Sequence, residues 1–225
     1  MESINKEALS FLKQLKINNN REWFEENKPK FKKLESEMKT FYKHVESLMQ
    51  QHDEIEKTKA FRIYRDVRFS KDKTPYKHHF AAHFMRKKPT LRGGYYLHIE
   101  PHDQSFLAVG FWSPEKNDLY RIRKEIESDA DEFKAVVLDK KLQKYWGELE
   151  GKQLKTAPKG FDKEHAAINY INHKQFIFTA KFTDKEVLSE NFTAKVNEHF
   201  KGIRPFFDYM TSVLTTDLNG VSLLK

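Results

Sequence analysis

The residues with the most chemical potential lie between Arg62 and Lys77. The run reads Arg-Ile-Tyr-Arg-Asp-Val-Arg-Phe-Ser-Lys-Asp-Lys-Thr-Pro-Tyr-Lys, with three arginines, three lysines and two aspartates in sixteen residues. Solvated charge runs rarely carry so many aromatic and β-branched residues. Arginine suits fixed anion recognition, because its planar, permanently charged guanidinium grips a phosphate or carboxylate through two hydrogen bonds. Phe61, Ile63, Val67 and Phe69 alternate with Arg62, Tyr64, Asp66 and Arg68, and this period of two predicts a strand. On that strand Arg62, Tyr64, Asp66 and Arg68 share one face at steps of about 6–7 Å, so Arg62 and Arg68 would bracket a ligand. Asp66 between them would hold a guanidinium in place or accept a proton. Lys73, Tyr76 and Lys77 follow the Asp72-Lys73-Thr74-Pro75 turn and would fold back over the same face, and Ser70 would add a hydroxyl. Asp72 completes the ligand-binding set.

Arg65 breaks the pattern. Strict alternation places it on the apolar face with Ile63 and Val67. An unpaired buried guanidinium costs several kcal/mol, so Arg65 must find a carboxylate, or the strand must bulge or end there.

A second constellation is His98-Ile99-Glu100-Pro101-His102. His98 and Glu100 point the same way on a strand, and His102 follows if the strand continues past Pro101. Imidazole and carboxylate suit zinc or iron. No metal is expected from so common a spacing; if one is held, His98, Glu100 and His102 are its ligands. His78, His79 and His83 add histidines upstream without a recognisable ligand pattern.

Several elements must position these residues. Ile4, Ala8, Phe11, Leu12 and Leu15 predict a helix over 4–16. Asn18, Asn19 and Asn20 offer caps. A helix with Trp23 and Phe24 in its first turn follows, is interrupted at Pro29, and restarts to about Gln51. Beyond the 61–69 strand, Phe80-Ala82-Phe84, Tyr95-Leu97-Ile99 and residues 105–112 predict three more strands in an antiparallel meander. Ser113-Pro114 predicts a helix start with Ser113 as cap. One or two short helices cover 133–146, a small hairpin surrounds Gly151, and a short helix covers 166–171. Gln175–Phe182 predicts a further strand. Thr183 and Glu186 predict a capping box, and helices run from there to about Thr216 with breaks near Gly202 and Pro205. Trp23 and Trp112 are expected in the core. The fold class is α+β: an antiparallel sheet of about four to six strands flanked by N-terminal and C-terminal helices, in a single domain over residues 1–225.

Composition bounds the rest. The chain has 225 residues, 38% hydrophobic and 33% charged, which is long enough to bury a core without covalent staples. The absence of cysteine removes disulfides, thiolate catalysis and thiolate metal sites. The first residues lack a signal-peptide pattern and no apolar run is of membrane-spanning length, so a cytoplasmic protein without a membrane partner is expected. No Gly-rich phosphate loop, dinucleotide fingerprint or serine nucleophile elbow is present. The net charge of +8 admits phosphate-bearing partners, although much of it is scattered lysine.

The central run resembles the signature of a family of uncharacterised proteins from bacteria and fungi, described as a domain of unknown function. The pattern is Arg-x-x-Arg-Asp-x-Arg-Phe followed by an acidic-Lys pair and a Tyr. It stands here as Arg62, Arg65, Asp66, Arg68, Phe69, Asp72, Lys73 and Tyr76. Phe11-Leu12 through Asn18-Asn19 to Trp23-Phe24, Gly93-Gly94-Tyr95-Tyr96 and Gly110-Phe111-Trp112 resemble it as well. The resemblance implies one domain reaching to about Phe207 and brings no activity or cofactor. Three function classes therefore compete. The first is binding of a small anionic ligand at the arginine motif, with Asp66 as proton acceptor if the site is catalytic. The second is a nucleic-acid-binding module that uses Arg, Lys and Tyr. The third is a structural or interaction protein whose motif is an internal ion-pair network. Exposure separates them: a concave pocket favours the first, a broad flat basic face the second, and full burial the third.

Overall fold

A computed structural model describes residues 3–217 and 221–224. Two helices come first, α1 (Lys6–Ile17) and α2 (Arg21–Met49). Five strands form one antiparallel sheet in the order β1 (Ile55–Ala60), β2 (Phe80–Arg86), β3 (Gly94–Ile99), β4 (Ser105–Phe111) and β5 (Phe176–Phe182). Between β4 and β5 lie α3 (Lys116–Ser128), α4 (Ala130–Val137), α5 (Lys140–Trp146) and α6 (Ile168–Ile171). The chain then turns through α7 (Asp184–Val187), α8 (Phe192–Gly202) and α9 (Arg204–Thr215). The expected α+β class, the antiparallel sheet and the flanking helices are all present. Among the described residues no helix is long and apolar enough to cross a membrane.

The helix ends follow from side-chain chemistry. Asn20 accepts a hydrogen bond from the Trp23 N–H at 2.9 Å and so starts α2. Thr183 and Glu186 form the expected reciprocal capping box. Ser113 does not cap α3; the cap position falls on Glu115, which makes no side-chain capping bond. Pro29 does not interrupt the second helix, which runs through it for 29 residues. Phe24 before the proline and Phe31, Leu34 and Met38 after it stay buried on one stripe, and that packing outweighs one missing backbone bond.

Two compact units can be distinguished. The first comprises residues to Met85, Tyr96–Leu107 and Lys181–Glu198. Its interior is aromatic: Phe31 stacks on Phe80 and Phe41 on Phe192, each pair near-parallel. The second comprises Arg86–Tyr95, Ala108–Ala180 and the residues from His199 onward. Tyr95 packs edge-on against Phe200 and Phe207, with ring centroids 4.9 and 5.0 Å away. Trp146 stacks on Phe200 and donates its indole N–H to the His199 carbonyl.

Three further expectations are corrected. The first strand is Ile55–Ala60, not 61–69. It is the edge strand, and Glu56, Lys57 and Lys59 leave it little apolar alternation to read. The segment around Gly151 is not a hairpin of its own. Glu150 and Gln153 instead bridge to Ile177 and His173, lining the outer side of β5. Trp112 is 69% exposed, because β4 ends at Phe111 and its side chain falls beyond the sheet.

Candidate functional site

The basic run forms a loop, and Arg65 is the reason. Its guanidinium donates to Asp72 Oδ2 at 2.5 Å, to the Thr74 carbonyl at 3.1 Å and to the Thr74 hydroxyl. Asp72 Oδ1 in turn accepts from the Thr74 N–H and hydroxyl at 2.9 and 2.8 Å. Residues 65–74 therefore close around one side chain, which an extended strand cannot do. Two backbone bonds, Arg65 N–H to Pro75 O at 2.9 Å and Lys77 N–H to Ile63 O at 2.7 Å, zip the loop's base around a single Tyr64–Tyr76 bridge. Arg65 is not on the apolar face of a strand; it pairs with Asp72 in an exposed loop. These bonds hold the Asp72 carboxyl at about 2, with the Thr74 backbone contributing most, then the Thr74 hydroxyl and Arg65.

The expected row of Arg62, Tyr64, Asp66 and Arg68 on one strand face does not form. Arg68 turns onto Asp66 in a two-pronged pair, Nε to Oδ1 at 2.9 Å and Nη2 to Oδ2 at 2.6 Å. That pair holds the Asp66 carboxyl below its ordinary range. Ser70 lies 3.5 Å from Arg65 Nη2, and Lys73 donates to the Val67 carbonyl at 3.0 Å. Tyr76 is 4% exposed and stacks on Phe24, so it anchors the loop instead of lining its surface. Phe69, by contrast, is 97% exposed.

Arg62 differs from its two neighbours: among the described residues its guanidinium has no hydrogen-bond or ion-pair partner. Lys77 donates to the Arg62 carbonyl at 2.8 Å. Burial first, and then the Arg62 charge, push the Lys77 ammonium below its ordinary pKa. Arg62 borders a cleft of about 210 Å³ with Glu35, Lys39, Tyr42, Phe61 and Phe80 among its walls. The Tyr42 hydroxyl is buried without a hydrogen-bond partner among the described residues. Its pKa is pushed up by burial and, secondarily, by Tyr96.

A second group of side chains converges on Glu100. His98 Nε2 donates to Glu100 Oε2 at 2.8 Å, and Tyr96 donates to His98 Nδ1 at 3.1 Å. His78 Nδ1 lies 2.9 Å from Glu100 Oε1, and His79 Nδ1 lies 4.0 Å from Oε2. The His79 and His98 rings approach to 4.1 Å between centroids. Burial brings the His79 imidazole down to about 3, helped by the neighbouring His98, Lys77 and His78. Burial also lowers His98, against the opposing pull of Glu100. A cleft of about 320 Å³ opens beside Glu100, lined by His98, Asp103, Gln104, Phe106 and Lys181.

A family model described as "Conserved hypothetical protein (DUF2461)" matches residues 7–209. The chain belongs to this family. The DUF2461 match contains both the basic loop and the Glu100 cluster. No curated protein and no solved structure matches the chain. The DUF2461 description names no activity.

Of the expected metal trio, His98 and Glu100 meet. His102 does not join them: it sits in a turn with φ 67°, its N–H bound to Asp184 Oδ2 at 3.2 Å. His78 and His79 come to Glu100 instead. The signal for them is hairpin register. Antiparallel pairing of β2 with β3 sets the start of one strand against the end of the other, which brings His79 towards Glu100. Tyr42 carries no comparable signal, because its helical spacing reads as core and it is indeed buried.

Proposed function

We propose that this DUF2461 chain is a cytoplasmic protein that binds a small phosphate- or carboxylate-bearing ligand at the Arg62 end of the basic loop. The observation that carries the reading is Arg62, which lines a cleft, lies close to Lys77, and among the described residues has no hydrogen-bond or ion-pair partner for its guanidinium, Asp66 acting on it only through longer-range attraction. Like charges held together disfavour each other unless an anion joins them. Tyr42 lines the same cleft, although its hydroxyl is buried. Glu35 also lines it, but Lys32 and Lys39 hold that carboxylate at 3.0 and 3.4 Å and offset its charge. In this reading Arg62 and Lys77 meet the ligand. Arg65, Asp66, Arg68, Ser70, Asp72 and Lys73 frame the loop that presents Arg62, with Tyr64 and Tyr76 at its base. Asp66 is a weak proton acceptor in this frame, because Arg68 occupies both its oxygens.

Calorimetric titration with inorganic phosphate, pyrophosphate and citrate tests the reading. Saturable binding is expected for the wild type. Arg62→Ala should weaken it at least about tenfold, the scale of one charge-assisted hydrogen bond. Arg68→Ala should leave it within about twofold, since Arg68 is already paired with Asp66. Absence of saturable binding, or an Arg62→Ala protein that binds like the wild type, ends this reading.

One observation favours a second reading. The Arg68 guanidinium lies 6.0 Å from the ring of the fully projecting Phe69. An exposed aromatic beside cations is equipment for stacking on single-stranded bases. A single-stranded oligonucleotide arm separates the two: Phe69→Ala weakens oligonucleotide binding under the second reading and leaves phosphate binding intact under the first.

A further inference from the structure

We propose that His78, His79 and Glu100 form a site for a divalent first-row metal of the zinc or ferrous-iron class. The site uses none of the residues assigned to the anion and stands independently of that reading. One donor atom from each of the three residues lies within 4.8 Å of the other two. His78 Nδ1 lies 2.9 Å from Glu100 Oε1, and His79 Nδ1 lies 4.0 Å from the other oxygen, Oε2. Ligands at about 2.0–2.1 Å from zinc in a tetrahedron sit roughly 3.3 Å apart. Both distances are near that value, although they end on different Glu100 oxygens, and side-chain rotations within this grouping bring one donor from each residue onto one ion.

The His78–Glu100 contact supplies the independent observation. His78 Nδ1 is buried and among the described residues makes no hydrogen bond, although Glu100 Oε1 is only 2.9 Å away. A cation held between the two atoms would satisfy both. A buried polar atom left unsatisfied is otherwise costly.

The surroundings fit a held ligand set. Glu100 Oε2 is fixed by His98, and His98 is fixed by Tyr96, an outer chain of the kind that orients metal-bound carboxylates. Lys16 reaches Glu100 only at 4.0 Å from a largely solvated position and can swing away. The cleft beside Glu100 leaves one side of the group open to water or a small ligand. Two imidazoles and one carboxylate with an open position match the donor set of catalytic zinc and non-haem iron centres.

The test uses the full chain, stripped with a chelator and titrated with Zn²⁺ against a chromophoric competitor. Co²⁺ substitution reads the coordination through its visible bands. Stoichiometric Zn²⁺ binding is expected. His79→Ala and Glu100→Gln should each lower the affinity at least about 100-fold and remove the Co²⁺ bands. His98→Gln, a change in a positioning residue, should cost about tenfold. His102→Ala should bind as the wild type does. If His79→Ala does not fold by circular dichroism, His78→Ala, at a more solvated side chain, decides in its place. A wild type without stoichiometric binding overturns the proposal. So does a folded His78 or His79 variant that retains wild-type affinity, or an equal loss in His102→Ala.

Discussion

Asn19 grips Tyr76 by both ends of its backbone. The Asn19 Nδ2 donates to the Tyr76 carbonyl at 2.9 Å, and its Oδ1 accepts from the Tyr76 N–H at 3.1 Å. The side-chain amide thus acts as one more strand partner for the base of the basic loop. Asn18 meanwhile donates to the Gln14 carbonyl at the end of α1, and Asn20 caps α2. Three consecutive asparagines do three different jobs.

Asn19→Ala removes both bonds at a part-buried site, and a loss of about 1–3 kcal/mol in urea denaturation is expected. Amide exchange at Arg65 and Lys77, whose N–H groups zip the loop, should accelerate. Asn19→Asp keeps the acceptor and loses the donor, so it should fall between the two. Unchanged exchange at Lys77 in the alanine variant refutes the anchoring role.

Pro29 is exposed in the middle of α2 and withholds one backbone donor from the helix. Pro29→Ala restores it. Helix-interior proline costs about 3 kcal/mol, while the freer unfolded chain takes back up to about 1 kcal/mol. A net stabilisation of about 2 kcal/mol by urea denaturation is expected. A destabilised variant would show that the proline shapes the helix in a way the packing requires.

Gly110 stands at φ 121° in β4, and a Cβ there would lie 2.1 Å from the Phe176 carbonyl oxygen. Backbone must move to admit any side chain. Gly110→Ala is expected to cost about 3 kcal/mol or more, or to abolish soluble expression. Calorimetric unfolding measures it, and a variant within 1 kcal/mol of the wild type (about the size of an ordinary surface change) sinks the argument.

His173 is buried with both ring nitrogens engaged: Nδ1–H donates to the Gln175 carbonyl at 3.0 Å, and Nε2 accepts from Gln153 at 2.8 Å. Burial holds its pKa below the ordinary 6.5, against the Gln175 bond, which raises it. The unfolded chain therefore takes up the proton first as pH falls through 6.5. The stability that depends on the neutral ring is complete above that pH and is lost as pH drops towards the folded value. Nitrogen-edited NMR at pH 6 should find the ring less protonated than a free imidazole, with the neutral form's proton on Nδ1. A charged ring at that pH contradicts the assignment.

Periodicity was legible where a segment is buried on at least one face. The strands around Phe80–Phe84, Tyr95–Ile99, 105–111 and 176–182 lie close to where alternation places them, and α2 follows its apolar stripe. The error at 61–69 has a physical cause. Apolar and charged residues alternate there too, but Arg65, Asp72 and Thr74 bond across the loop, and such bonds leave no mark on local spacing. The true edge strand hid because its exposed positions carry charge. At the candidate sites, single residues such as Arg62 and Glu100 were visible. Their company was not, since Tyr42, His78 and His79 arrive through helix packing and strand register.

The two outer borders of the sheet are each spoken for. Along β1 the exposed backbone is flanked by Glu56, Lys57 and Lys59, and along β5 the 150–153 segment bridges to Ile177 and His173. A strand from a second molecule thus meets charge at one border and occupied bridging positions at the other. Fibril growth by strand addition has no ready template here. Concentrated solutions of the folded chain should stay free of thioflavin-binding aggregates, and any that form should require prior opening of the 150–153 flap.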